Sequence, residues 1–285
     1  MDTMLTFGND KMSNIMTKAQ IKEVCPLAFY EKPTNPGVSN KYMMANTETI
    51  IDDMARLGWY PVEAKQCRAK KGSKGIRSFH MVAFQNEDVK IMQDGETEAY
   101  PRIILTNSHD GFRSFKFMCG IYRLICSNGL VIATEEFANI SIRHINYTFE
   151  ELRKVVAQAI EAIPEQVKVM NEMKRTELTT EQKYDLALQV IKARRGAEDN
   201  DKFTATRESL DDMLTPVRAE DHGNDLWTVF NVLQEKAIKG GYTYASDESK
   251  KARKQRPIKS AVKDIALNQT MFAIATSFIP ATVAA

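Results

Sequence analysis

Ile103-Ile104-Leu105-Thr106-Asn107-Ser108-His109-Asp110-Gly111, followed closely by Phe115-Lys116-Phe117-Met118-Cys119-Gly120-Ile121-Tyr122-Arg123-Leu124-Ile125-Cys126-Ser127-Asn128-Gly129-Leu130-Val131-Ile132, carries the clearest structural signal in the chain. Two apolar runs flank a cluster of turn-forming residues. Tyr100–Asn107 reads as a strand, Ser108–Gly111 as its turn and Phe115–Cys126 as a long strand. Asn128-Gly129 predicts a two-residue hairpin turn, because both residues accept positive φ. Leu130–Ala133 then continues the sheet, and Ile140-Ser141-Ile142 predicts a further strand.

Upstream of this stretch the pattern is also that of a sheet with one helix. Ile50, Ile51, Met54 and Leu57 recur at spacings of three and four, with Asn46 or Thr47 placed to cap and Gly58 to stop a helix over 46–58. A strand from Trp59 to about Arg68 and a return strand over Ile76–Gln85 flank the turn Lys70-Lys71-Gly72-Ser73-Lys74-Gly75. Asp94-Gly95 marks another turn. Residues 1–40 carry Pro26, Pro33, Pro36 and Gly37, so they read as a polar, loosely packed arm with at most a short helix near Lys18–Val24.

After Thr148 the period becomes helical. Thr148 with Glu151 forms a capping box, and Leu152, Val155, Val156, Ala159, Ile160 and Ile163 share one face. The helix is expected to reach about Lys174, with a kink or restart at Pro164. Further helices are predicted over Thr180–Arg194, Asp225–Ile238 and Val262–Phe278. The expected fold is α+β: an antiparallel β-sheet with long hairpins packed against helices, then a mainly helical C-terminal half. The domain reading is an arm (1–44), a helix plus antiparallel sheet core (45–147) and a helical region (148–285) packed on the same core. That last region holds an acidic loop (195–225) and a basic loop (239–260).

Composition bounds the function. The 285 residues can bury a substantial core, and 43% hydrophobic with 27% charged residues is ordinary for a globular chain. The net charge of +2 excludes bulk electrostatics as a source of nucleic-acid affinity, so any such affinity must be local. No apolar run is long enough for a membrane span, and Asp2 and Asn9-Asp10 break any export signal at the N-terminus. No membrane partner is expected, and the bacterial host's cytoplasm is the expected location. Cys25, Cys67, Cys119 and Cys126 have no CxxC spacing and read as free, mostly buried thiols. Neither metal nor cofactor is expected, since there is no zinc-ligand spacing, no Walker loop and no dinucleotide fingerprint.

Two basic clusters are the candidate binding residues. Lys65, Arg68, Lys70, Lys71, Lys74 and Arg77 lie over a predicted hairpin, opposed by Glu63 alone. Lys250, Lys251, Arg253, Lys254 and Arg256 follow Tyr242-Thr243-Tyr244, whose rings can stack on bases. Each cluster also reads as a solvated loop. Ser108-His109-Asp110 is not expected to be a catalytic triad, because neighbours on a tight turn point apart. A turn held by Asn107, Ser108 and Asp110 side chains is the expected role, with His109 a possible ligand contact.

The stretch Leu105–Gly111 followed by Tyr122–Leu130 resembles the phage/plasmid-like proteins grouped as domain of unknown function 932. The resemblance rests on Asn107, Ser108, His109, Asp110 and Gly111, then on Arg123, Cys126 and Asn128 at the strand end. Asp225–Asn231 is similar to that family's later aromatic helix, with Thr228 where glycine is usual. The resemblance covers roughly residues 45–280. It implies a bacteriophage or plasmid setting and no established reaction. The order helix, hairpin sheet, long helix is also similar to phage single-strand annealing proteins of the Red-beta and Erf kind, although no residue can be carried over from them. The expected function is therefore non-enzymatic single-stranded DNA binding in replication or recombination, by a homo-oligomer working with host or phage replication proteins. The alternative is a protein-interaction factor for host takeover or anti-defence. A metal-dependent nuclease has only the mobile-element setting behind it.

Overall fold

The computed structural model describes residues 4–7, 14–39, 42, 44–67, 71–72, 75–76, 78–93, 96–113, 115–123, 129–130, 141–142, 148–196, 203–245 and 251–280. The fold is α+β, with an antiparallel sheet in the first half and helices through the second. The chain divides into two units, Met1–Gln166 with Ser260–Val262, and Val167–Lys259 with Lys263–Ala285. The division falls inside a long helix, whereas the change of period that suggested a boundary lies at Thr148.

The first unit is built on an eight-stranded antiparallel sheet. Its axis is β7 (Glu96–Asn107), which is buried from Ala99 onward. On one side β7 pairs with β8 (Phe115–Arg123). On the other, β6 (Val89–Gln93) and β5 (His80–Gln85) share its length, β6 pairing near Ala99 and β5 from Arg102 to Asn107. β2 (Tyr60–Gln66) adds outside β5, and β1 (Met4–Phe7) outside β6. β9 (Gly129–Leu130) and β10 (Ser141–Ile142) pair with opposite ends of β8. β3 (Lys71–Gly72) and β4 (Gly75–Ile76) form a small separate ribbon.

The strands predicted on either side of 70–75 are thus β2 and β5, paired as expected. Two other expectations are corrected. First, the N-terminal segment is not a loose arm. β1 is a sheet strand, and the short helix expected near Lys18–Val24 is present as α1 (Lys18–Val24), with a Thr17 capping box. Ile21, Cys25, Leu27 and Ala28 are fully buried or nearly so, which ties the segment down hydrophobically. Second, Gly129 is not a turn residue: Tyr122 faces Gly129 and Ile121 faces Leu130, so Gly129 belongs to the ladder, while Asn128 lies outside the described residues. The long helix continues past Pro164 as expected, as α3 (Phe149–Arg175) without a restart. The Asp94-Gly95 turn lies outside the described residues.

α2 (Thr47–Arg56) begins where its sequence predicts. Asn46 accepts from the backbone N–H groups of Glu48 and Thr49, satisfying donors that a helix start leaves open. Its buried residues Ile50, Ile51 and Met54 form one face, and both α1 and α2 pack on β2. A buried charge in the sheet is satisfied across strands: the Arg102 guanidinium donates to Gln85 (3.0 Å) and Glu63 (3.4 Å).

The second unit contains α4 (Thr180–Arg195), α5 (Arg207–Leu214), α6 (Leu226–Lys239) and most of α7 (Ala261–Thr276). Thr179 and Gln182 form a reciprocal capping box on α4, and Asp225 caps α6 through the Thr228 N–H at 2.9 Å. The core sets Trp227 near Phe230 and Phe230 edge-on to Phe272. A buried hydrogen bond from Gln234 to Asn268 (2.8 Å) joins α6 to α7. The 195–225 region is not an acidic linker: α5 lies within it, with Thr206 as cap and Met213 fully buried. Asp211, Asp212 and Asp221 in this region are engaged by neighbouring side chains. Arg218 donates to both oxygens of buried Glu235 (2.5 and 2.6 Å) and to Asp221 (3.1 Å), and Asp212 accepts from Lys236 and the Thr243 N–H. Burial opposes ionisation of Glu235, but bonds from Arg218 and Lys239 outweigh it and lower its pKa.

Candidate nucleic-acid interface

The Asn107–Gly111 turn is the centre of a buried polar cluster. Asn107, Ser108 and His109 are fully buried and Asp110 nearly so. Asn107 donates to the Ala45 carbonyl and to Thr47 Oγ1 (both 2.9 Å) and accepts from the Ser108 N–H. Asp110 accepts from the Phe112 N–H with one oxygen (3.0 Å) and from the Ser78 N–H with the other (3.2 Å). Ser108 Oγ donates to the Arg113 carbonyl. The turn's own carbonyls accept from Tyr42, Thr34 and Asn35. Serine, histidine and aspartate are thus directed to different partners and share no reaction centre. Gly111 sits at φ +72°, and a Cβ there would meet Val38 Cγ1 at 2.7 Å, so only glycine closes the turn.

Two histidine rings share one hydroxyl beneath this turn. Thr47 Oγ1 lies 2.8 Å from His80 Nε2 and 3.2 Å from His109 Nε2, and the rings meet edge-on with centroids 4.9 Å apart. His80 Nδ1–H donates to the Ser78 carbonyl (2.7 Å), so its Nε2 accepts. Thr47 has one proton and gives it to His80, so the second ring donates from His109 Nε2–H to Thr47 Oγ1. Burial pushes His80 down from 6.5 to about 4. The His80 ring is therefore neutral at ordinary pH, and the buried side chains of the cluster face one another and nearby backbone instead of solvent.

The hairpin cations are described only in part. Lys65 is in β2, with Nζ 2.7 Å from Glu63. Lys71 lies in β3, while Arg68, Lys70, Lys74 and Arg77 fall outside the described residues. Arg123 ends β8, and Cys126 and Asn128 also fall outside them. Lys250 does too.

The second basic cluster lies in the second unit. Thr243–Tyr244 forms β11 and Arg253–Lys254 forms β12, paired Thr243 to Lys254 and Tyr244 to Arg253. Lys251, Arg253, Lys254, Arg256 and Lys259 are exposed. Among the described residues none of the five makes an ion pair, and the sequence from 250 to 259 holds no carboxylate. The ribbon is fixed to α6. Gly241 N–H donates to the Gln255 carbonyl, Gln255 N–H to Tyr242 and Ile258 N–H to Ile238. Gly240, at φ +70°, brings its Cα so close that a Cβ would lie 2.6 Å from the Gln255 oxygen. Arg194 braces the same place by donating to the carbonyls of Ala237 and Arg256.

The two tyrosines differ. Tyr242 is only 1% exposed and cannot stack on a base, contrary to expectation. Tyr244 is half-buried, with the Arg195 guanidinium 5.6 Å from its ring and 3.9 Å from that of Phe203. Arg194, Arg195, Phe203 and Lys259 were not singled out in the sequence. The only local hint was the basic end of α4, Lys192-Ala193-Arg194-Arg195.

Comparison with known proteins places the chain. The family described as Domain of unknown function (DUF932) matches residues 37–266. The chain is 26% identical over 273 residues to the UPF0380 protein YafZ of Escherichia coli K12, covering 93% of this chain and 92% of that protein. It is 27% identical over 275 residues to the UPF0380 protein YfjQ of the same strain, with the same coverage. No solved structure matches. The chain belongs to the DUF932 family.

Proposed function

We propose that this DUF932 member binds single-stranded DNA through the β11–β12 ribbon and has no catalytic role in that binding. The observation that carries the reading is the set of exposed cations Lys251, Arg253, Lys254, Arg256 and Lys259, without ion pairs among the described residues and beside the Tyr244–Arg195 stack. Neutralising phosphates releases their counterions, and a half-exposed aromatic ring receives any base, so the arrangement favours the backbone over sequence. A fixed ribbon also keeps these cations from collapsing onto carboxylates of their own chain. The turn carrying Arg68, Lys70, Lys71, Lys74 and Arg77 is proposed as a further line of contact. The setting proposed is replication or recombination of a phage or plasmid in the bacterial cytoplasm, by an oligomer. No helix among the described residues is long and apolar enough to cross a membrane.

The test is fluorescence anisotropy of a labelled oligothymidylate titrated with the full chain at stepped salt, with light scattering on the same sample. Binding that weakens steeply with salt, by a multimer, supports the reading. Absence of binding at low salt refutes it and redirects attention to a protein partner.

A further inference from the structure

The second unit has a cavity of about 510 Å³, within the range of small-ligand sites. Its apolar wall includes Leu214 and Val232, and its polar rim includes Lys183, Tyr184, His222 and Asn224. Lys183 Nζ donates to Asn224 Oδ1 at 2.9 Å, which orients the Asn224 amide and leaves further ammonium protons for another acceptor. The carboxylate in the wall, Asp221, is held by Arg218 at 3.1 Å, so its charge is countered from outside the cavity. Arg207 lies 3.6 Å over the Tyr184 ring, and the Tyr184 hydroxyl donates to Asp211, which together fix that ring.

Placement links this cavity to the ribbon. Tyr184 and Arg195 both lie on α4. At 1.5 Å and 100° per residue they are about 16 Å apart along the helix and within about 20° around it. One face of α4 therefore carries two arginine–aromatic stacks, Arg207 on Tyr184 at the cavity and Arg195 on Phe203 and Tyr244 at the ribbon.

We propose that the cavity is a nucleotide subsite that takes one nucleotide of the bound strand. The base lies against Leu214 and Val232, with Asn224 offering its amide to the base edge. The phosphate lies at Lys183 and His222. This inference rests on the single-strand reading above, but its chemistry is separable, because a free mononucleotide carries both recognised groups.

The experiment titrates thymidine 5′-monophosphate and an oligothymidylate into the native chain, Lys183→Glu, Asn224→Ala and Arg253→Glu/Lys254→Glu. Lys183 is half-buried and Asn224 exposed, so both variants are expected to fold, with thermal melts as the control. The expected result is saturable mononucleotide binding to the native chain and the ribbon variant alike. Lys183→Glu should weaken it by about tenfold and Asn224→Ala by less. No saturable mononucleotide binding, or equal binding by Lys183→Glu, overturns the subsite even if the oligonucleotide binds. Mononucleotide binding that follows Lys183, with oligonucleotide binding indifferent to the ribbon reversal, upholds the subsite and overturns the ribbon reading.

Discussion

The buried cluster under Asn107–Gly111 and the ribbon of β11 and β12 handle polar groups in opposite ways. In the cluster Thr47, Ser78, His80, Asn107 and Asp110 bond to one another and to nearby backbone, with all five buried. In the ribbon the backbone is fixed through Gly240 and Gly241, and the charged side chains face water. Polar atoms enclosed and matched add to folding, because leaving any one unmatched is expensive. Cations held in solvent add little to folding and keep their full attraction for an anion. The most distinctive motif of the chain therefore acts in the architecture, and the least distinctive run is the better candidate for contact.

Breaking the cluster should have the largest effect. Asn107→Ala removes bonds to Ala45, Thr47 and Ser108 at a fully buried site. It should lower unfolding stability by about 3 kcal/mol in urea titration, with oligonucleotide affinity unchanged while the chain stays folded. A loss under about 0.5 kcal/mol would show that the cluster does not hold the sheet end.

Acid probes the same cluster. His80 protonates near 6.5 when unfolded and only near 4 in the fold. The stability it contributes is present above pH 6.5 and disappears as pH falls toward 4, because the unfolded chain takes the proton first. The expected loss across that window is on the order of 3 kcal/mol, and His80→Gln should flatten it. An unchanged pH profile in that variant would assign the acid sensitivity elsewhere.

The smallest effect sharpens the contrast. Lys65 is exposed near its Glu63 partner, so Lys65→Ala should change stability by less than about 1 kcal/mol. Oligonucleotide affinity should change less than in the ribbon variants, as read by the same anisotropy assay.

Much of this comparison can be traced to local sequence, and much cannot. The starts of α2, α4 and α6 are readable because Asn46, Thr179 and Asp225 cap them through bonds two to three residues long. The strands β5, β7 and β8 are readable from their apolar runs. β1 was missed because its place is set by pairing with Val89–Met92, far along the chain. α5 was missed because its carboxylates masked the apolar spacing that buries Met213. The cluster gathers Thr34, Thr47, Ser78 and His80 onto the turn from separate segments, and no local period announces that convergence. The Arg195 stack and the cavity likewise arise from tertiary placement.

The central claim is that the ribbon's cations meet phosphates, and one measurement addresses it directly: the salt dependence of oligothymidylate affinity for the native chain and for Arg253→Glu/Lys254→Glu. Each phosphate contact on a single strand contributes about 0.7 to the slope of log affinity against log salt. Reversing two contacts should reduce that slope by roughly 1.4 or more and weaken binding at low salt by at least about tenfold, with the melting temperature held. An unchanged slope and affinity in the folded variant would contradict the account.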